Sequence, residues 1–328
     1  MRVLVLRFSS IGDIVLTTPV VRGLAQQLGA EVHFATKPAF RGVVEANPYV
    51  HTTHLLSGTL GALVRELRAA RFDYVIDLHN NLRTRLLTAR LGVPTYRFDK
   101  LNVAKWLLVN LKIDRLPAYH IVARYRAAAA PLGVRDDGGG LDYFIPAEQE
   151  ITLDQVLPVT HHGGYVAFAI GAQHATKRLP AEKLVEACAR LAAPVVLLGG
   201  KEDAAMGAYL AQWFAENPNG KTHIFNACGQ FSLHASASLV RQAQLVVSHD
   251  TGLMHIAAAL GKPIVSVWGN TVPAFGMTPY RTPYQVLEVQ GLPCRPCSKI
   301  GFAQCPKGHF KCMRDQDLTT LGQPFQPV

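Results

Sequence analysis

Short, wholly apolar runs alternate with longer mixed stretches along the first eighty residues. Val3-Leu4-Val5-Leu6 carries no polar residue, as a parallel strand buried on both faces requires. A polar turn follows at Ser9-Ser10-Ile11-Gly12-Asp13. Residues 14–28 then read as one helix, with Pro19 as a local kink and Gly29 as its end. Residues 31–35 read as the next strand, 60–70 as a helix and 74–78 as a strand. Strand and helix in alternation predict a parallel sheet covered on both faces.

The pattern loosens in the middle, where Asp136-Asp137-Gly138-Gly139-Gly140 is a loop. Pro146 and the stretch from Pro158 to Gly164 bracket the expected domain junction. The alternation then restarts, with strands over 165–170, 195–198, 245–247 and 264–268. Helices are expected over 181–191, 204–214 and 233–242, and an Ala/Leu-rich helical run at 256–260 follows the turn that contains Gly252. Two domains are therefore expected, 1–158 and 159–328, each with a doubly wound sheet. Such folds bind ligands at the carboxyl ends of their strands. No sequence repeat relates the halves, and no low-complexity tract is present.

The 328 residues suffice for two cores of ordinary size, and 49% hydrophobic with 17% charged residues is a globular balance. No apolar run reaches the roughly 18–20 residues of a membrane span. Arg7 and Asp13 interrupt the apolar N-terminus and no small-residue cleavage site follows, so no signal peptide and a cytoplasmic location are expected. The formal net charge is +10, a balance that suits nucleic acid, anionic lipid or a phosphorylated substrate. The cations are dispersed, as at Arg83, Arg85, Arg90, Arg97, Lys100 and Lys105, and no nucleic-acid motif accompanies them. An ordinary solvated surface explains them as well as a rim that attracts an anionic substrate.

Candidate chemistry gathers at turns that follow strands. Asp13 reads either as a helix N-cap or as a carboxylate free to take a proton from a substrate hydroxyl. Gly12 lets a substrate approach the backbone there. The turn lacks G-x-G-x-x-G, and the chain lacks a Walker A sequence, so hydride and phosphoryl transfer lose weight. In Ser248-His249-Asp250-Thr251-Gly252-Leu253-Met254-His255 a strand gives way to a helix whose first N–H groups suit a phosphate. Thr251 adds a hydroxyl, Gly252 allows close approach, and His255 lies one turn on. The loop from Gly171 to Pro180 offers Thr176 and Lys177 to a diphosphate, although a solvated lysine fits the spacing too. After Gly199-Gly200, Glu202 and Asp203 read either as acceptors for ribose hydroxyls or as first-turn helix acids. In the Cys-rich tail, 294–312, Cys294 and Cys297 form a C-x-x-C pair, followed by Cys305 and Cys312. Structural zinc on these four and free thiols stand side by side as readings, with a disulfide behind both.

Taken together, these segments resemble glycosyltransferase family 9, the ADP-heptose:lipopolysaccharide heptosyltransferases. The resemblance rests on residues 1–13, on Asp77-Leu78-His79-Asn80-Asn81-Leu82-Arg83, on Lys177-Arg178-Leu179-Pro180, on Gly199-Gly200, on 250–260 and on Trp268-Gly269-Asn270-Thr271-Val272-Pro273. It implies a GT-B fold, two Rossmann-like α/β domains, with acceptor bound by the first and nucleotide sugar by the second. It implies inverting transfer with Asp13 as general base and no cofactor or metal at the reacting centre. Ser9, Ser10, Gly12 and Arg83 would then face the acceptor. Thr176, Lys177, Thr251, Gly252 and His255 would hold the diphosphate, and Asp250 would lie near the donor sugar. The implied partners are ADP-heptose and a phosphorylated lipopolysaccharide core acceptor, with the protein peripheral to the inner membrane and no nucleic acid involved. The competing readings are a transferase using another nucleotide sugar or acceptor, and a non-catalytic protein that binds sugar nucleotide or lipopolysaccharide.

Overall fold

The structure, a computed structural model, describes residues 1–218 and 220–325; position 219 and the last three positions of the second expected domain lie outside them. The chain forms two compact units. Met1–Leu101 with Ala118–Phe144 make the first; Asn102–Pro117 and the chain from Ile145 onward make the second. The expected junction at 158/159 lies inside the second unit, and the segment 102–117 belongs with the C-terminal half.

The first unit holds strands β1 (Arg2–Leu6), β2 (Glu31–Thr36), β3 (Thr52–Leu55), β4 (Tyr74–Asp77) and β5 (Thr95–Arg97). They pair in the order β3-β2-β1-β4-β5, all parallel. Val3, Leu4, Val5 and Leu6 are fully buried, which is why β1 tolerates no polar residue there. The single helix expected over 14–28 is instead two helices, Ile11–Val15 and Thr18–Leu28. Pro19 stands in the first turn of the second helix, where its missing N–H has no cost. It therefore marks a start rather than a kink. Gly29 ends that helix with φ +58°, the left-handed conformation glycine adopts without strain. Three further helices, Leu60–Ala70, Leu82–Leu91 and Ile121–Ala129, belong to this unit.

The second unit holds β6 (Val166–Ala169), β7 (Val195–Leu198), β8 (Ile224–Asn226), β9 (Leu245–His249), β10 (Ile264–Trp268) and β11 (Tyr284–Glu288). Their order is β11-β10-β9-β6-β7-β8, again all parallel. The helix Ala181–Leu191 shows how a helix covers such a sheet. Leu184, Ala187, Cys188 and Leu191 recur at helical spacing and are all buried. Each large side chain so covered contributes about 1.5–3 kcal/mol.

Strand order reverses direction beside β1 and β4 in the first unit and between β9 and β6 in the second. Loops leaving neighbouring strands diverge at such points and open a crevice at the strands' carboxyl ends. The sequences that occupy those loops are 7–13 and 78–81 in the first unit, and 170–180 and 250–252 in the second.

Candidate active site

In the first unit Ser10 is the N-cap of the helix Ile11–Val15, and Asp13 lies at its third position. The Asp13 carboxylate reaches back to accept hydrogen bonds from Ser10 N (3.2 Å) and Ser10 Oγ (2.9 Å). Asp13 is thus not the N-cap but the acid of a capping box. Its other oxygen, Oδ1, lies 2.7 Å from Arg7 Nη2. Arg7 also donates to Ser9 O (2.7 Å) and to Leu78 O (2.6 Å). The guanidinium therefore ties the turn after β1 to the turn after β4. Burial pushes the Asp13 carboxyl up, but Arg7 and the Ser10 bonds outweigh it and hold Asp13 below the usual carboxylate range.

Three more groups surround this pair. His79 follows β4, with its ring 5.5 Å from that of Phe8. Burial, with the charges of Arg7 and Lys100, pushes its imidazole down to about 4, so it is neutral at physiological pH. Tyr125 is fully buried, with the Arg7 guanidinium 5.9 Å from its ring centroid. Burial drives its hydroxyl far above the ordinary tyrosine value. Lys37, just past β2, adds its charge near His79. Lys37 and Arg83 also line a cavity of about 650 Å³ with Leu56, Ser57 and Gly58. Ser10 and Arg83 are exposed, Ser9 is half-buried, and Gly12 is buried in the helix turn.

In the second unit, Lys177 from the loop after β6 meets Asp250 at the end of β9. Lys177 Nζ lies 2.6 Å from Asp250 Oδ2 and 3.2 Å from Asp250 O. Thr271 Oγ1 donates to the same Oδ2 at 2.9 Å. Thr251 is the N-cap of the helix Gly252–Ala259, in extended conformation, so the first helical N–H groups open beside Asp250. His255, one turn on, is 2% exposed.

Two buried residues fix the ends of the lysine loop. His249 Nε2 accepts the N–H of Leu179 at 3.0 Å, so its proton resides on the other nitrogen. Burial holds this imidazole at about 4. Arg178 donates to Ala172 O (2.6 Å) and pairs with Asp203 Oδ1 (3.2 Å). Asp203 also accepts from Gly200 N at 2.9 Å, and only 5% of it is exposed. A Cβ on Gly171 would fall 2.0 Å from Asp203 Oδ2, so this position requires glycine. Asp203 is therefore spent on holding two loops together, while Glu202 is exposed. Thr176 is likewise turned inward. Its hydroxyl donates to Phe302 O (3.2 Å) and accepts from Phe302 N (2.8 Å).

Thr271 owes its position to Arg295, which sequence reasoning did not single out. Arg295 donates to Gly269 O (2.6 Å), Thr271 O (3.0 Å) and Val289 O, and pairs with Glu288 (2.8 Å). Cys294, Cys297, Cys305 and Cys312 lie near enough to act on one another electrostatically, while among the described residues no three His, Cys, Asp or Glu side chains form a group that could hold a metal ion. Cys294, Cys297, Cys305 and Cys312 are all free thiols, and Cys294 Sγ lies 3.8 Å from His309 Nε2. Burial raises the Cys297 thiol and pushes Cys312 up to about 12.

Residues 60–306 match the model of glycosyltransferase family 9 (heptosyltransferase). A lipooligosaccharide heptosyltransferase 2 from Haemophilus ducreyi is 25% identical over 299 residues, 84% of this chain and 85% of that protein. Among solved structures, a family 9 glycosyl transferase from Veillonella parvula superposes with a TM-score of 0.70 at 25% identity, covering 87% of this chain and 86% of that one. The E. coli heptosyltransferase WaaC, solved with ADP, gives a TM-score of 0.63 at 25% identity and covers 87% and 92%.

Proposed function

The chain belongs to glycosyltransferase family 9, and from that premise we propose that it transfers heptose from ADP-heptose to a lipopolysaccharide core acceptor, with inversion and without a metal at the reacting centre. The observation that carries the reading is the Lys177–Asp250–Thr271 group beside the N-terminus of the helix Gly252–Ala259. An ammonium and free helical N–H groups at one point match a leaving diphosphate. The names of the relatives supply the sugar and the acceptor, and WaaC with ADP supplies the nucleotide.

Breaking the anomeric C–O bond leaves positive charge on the sugar and negative charge on the diphosphate. Lys177 and the N–H groups near Gly252 stabilise the second of these. Asp250, held by Lys177 and Thr271, faces the donor sugar. Glu202, whose carboxylate is exposed, takes the ribose hydroxyls. The acceptor hydroxyl attacks from the face opposite the diphosphate, which inverts the anomeric centre. Its proton passes to Asp13.

Arg7 makes Asp13 a weak base that is always ionised near neutrality. A weak base takes the proton late, once the new C–O bond has made the acceptor oxygen acidic. Neutral His79 adds no charge that competes with Arg7 for the carboxylate. Lys37 and Arg83 offer two cations to the anionic groups of the acceptor. No described helix is long and apolar enough to cross a membrane. The enzyme meets its lipid-borne acceptor from the cytoplasmic side of the inner membrane.

Calorimetric titration with ADP, GDP and UDP, without added metal, is the first test. Selective ADP binding supports the reading and leads to transfer assays with ADP-heptose on heptose-deficient lipopolysaccharide. Preference for GDP or UDP keeps the fold and the chemistry but replaces the sugar. Binding of none of the three points to the non-catalytic reading.

A further inference from the structure

Four ionisable side chains of the first unit stand in an unbroken row. Glu31 and His33 lie on β2, His54 on β3 and Glu66 on the helix Leu60–Ala70. His33 Nε2 is 2.9 Å from Glu31 Oε1, and His33 Nδ1 is 2.9 Å from His54 Nε2. His54 Nδ1 is 2.5 Å from Glu66 Oε1. Both imidazoles are buried, 6% and 5% exposed, with their edges or faces against Phe72. Two further groups face the row from outside it. Arg2 of β1 lies 3.2 Å from Glu31 Oε1, and His51, just before β3, lies 3.6 Å from the same oxygen.

The number of protons fixes the charge of this row. Each of its three contacts needs one proton between two heavy atoms. An ionised carboxylate brings none, and two neutral imidazoles bring two. All three contacts are made only when one imidazole is doubly protonated. The pair then carries one positive charge between two carboxylates. With both rings neutral, one contact is left with lone pairs facing each other, at a cost that buried polar groups feel in full. With both rings charged, two N–H groups and two like charges meet at 2.9 Å. The surrounding electrostatics agree. The hydrogen bond with His33 holds Glu31 below the usual carboxylate value, so it is ionised. Burial, helped by His54 and His51, keeps His33 below the ordinary histidine value despite Glu31, so a second proton is refused.

We propose that Glu31, His33, His54 and Glu66 form a one-proton latch: charged, it fastens the helix Leu60–Ala70 to β2 and β3, and as pH rises the proton leaves and one fastening opens. The latch has a place to act. The segment between β3 and that helix gives Leu56, Ser57 and Gly58 to the cavity that Lys37 and Arg83 also line. His54 and Glu66 bracket the segment, so opening the latch loosens one wall of that cavity. In the unfolded chain the two histidines together hold two protons well below about pH 6.5, one near it and none well above it. The folded latch holds one on both sides of that value. Folding therefore releases a proton on the acid side and takes one up on the alkaline side, until the latch itself empties. Its contribution to stability is greatest near about pH 6.5 and falls in both directions, by up to about 10-fold in the folding constant per pH unit.

Nitrogen-15 spectra of the full-length protein, labelled at histidine, read the ring protonation directly. At neutral pH the His33 and His54 rings together should carry one imidazolium, lost in a single shared step above about 6.5. Glu66 is half exposed, so Glu66→Gln leaves no buried void; it removes one flanking charge and should lower the step by about 1 pH unit. Amide hydrogen exchange in the helix Leu60–Ala70, corrected for the intrinsic rate, should quicken several-fold across the step, with the helix Ala181–Leu191 of the second unit as the unchanged control. Two neutral rings at neutral pH, or two rings titrating independently near about 6.5, overturn the proposal. So does a step that Glu66→Gln does not move, or exchange in the helix that ignores the step. Neither donor nor acceptor enters the experiment, so its result stands whether or not the transferase reading does.

Discussion

Replacing Lys177 by methionine keeps the aliphatic stem and removes the ammonium. Two effects separate. In the free protein, Asp250 is left with the Thr271 hydroxyl as its side-chain donor. The Lys177 and Asp250 side chains are 16% and 11% exposed. Breaking a fully buried pair costs about 3–5 kcal/mol, and this residual exposure reduces the cost to roughly 2–3 kcal/mol. For a unit of about 200 residues that lowers the melting temperature by about 5–10 °C. Lys177→Met with Asp250→Asn should recover a large part of the loss, because no unpaired carboxylate remains. The second effect is on ligand. A charged hydrogen bond to phosphate is worth about 1.5–3 kcal/mol, so the ADP dissociation constant should rise about 10- to 100-fold. Calorimetry measures the affinity and scanning calorimetry the melting point. A lowered melting point with ADP affinity within a factor of two of wild type would refute the phosphate role and leave Lys177 as a brace for Asp250.

Asp13→Asn should reduce turnover by about 10²- to 10⁴-fold with ADP affinity intact; wild-type turnover would remove Asp13 as the base. Because the folded carboxyl ionises below its ordinary value, Asp13 adds stability that is present above the unfolded value and lost as pH falls through the folded one. The acid limb of turnover should accordingly lie below the usual carboxylate range, and a limb at pH 5 or above would contradict the Arg7 pairing. His249 is held neutral down to about 4, so its contribution falls as pH drops from about 6.5 to about 4, by roughly 3 kcal/mol. His249→Gln keeps an acceptor for Leu179 N–H and should flatten that slope in pH-dependent unfolding; an unchanged slope would assign it elsewhere. Thiol titration of the native protein should find Cys294, Cys297 and Cys305 fast and Cys188, Cys228 and Cys312 slow. Protection of the first three, with one equivalent of zinc by elemental analysis, would show the tail closing on a metal.

The buried strands were readable from sequence because each is a short apolar run that no helix of that length would need. Strand β5 has three residues and β8 three, too few for a pattern to register. The helix Leu82–Leu91 has only Thr84, Leu87 and Thr88 buried and thus lacks an apolar stripe. The helix Asn102–Leu111 hides for the opposite reason, since its apolar residues face solvent as well as core. The break between Val15 and Thr18 falls at Leu16-Thr17, and Pro19, which marks the new start, reads in sequence equally well as a kink. At the candidate site, Asp13, Lys177, Asp250, Thr251 and Gly252 stood out in the sequence because each lies in the segment that leads from a strand into the next helix. Arg7, His249, Thr271 and Arg295 were not, because their work is to join segments far apart in sequence, as His249 joins Leu179. Thr176 and Asp203 have the right residue type beside a glycine-rich turn, but only tertiary structure shows that they point inward.

The chain passes between its two units at three places, after Leu101, Pro117 and Phe144. No single cut can release either unit whole. A fragment starting at 145 would lack Leu108 and the Lys112 ammonium that binds the Pro296 and Cys294 carbonyls. A fragment ending at 144 would carry the helix Asn102–Leu111 with nothing to pack on. Chimeras with relatives obey the same topology: exchanging the C-terminal half by one mid-chain crossover pairs a foreign tail with a native helix. Residues 102–117 must travel with that half, so exchanging the second unit whole needs three crossovers rather than one.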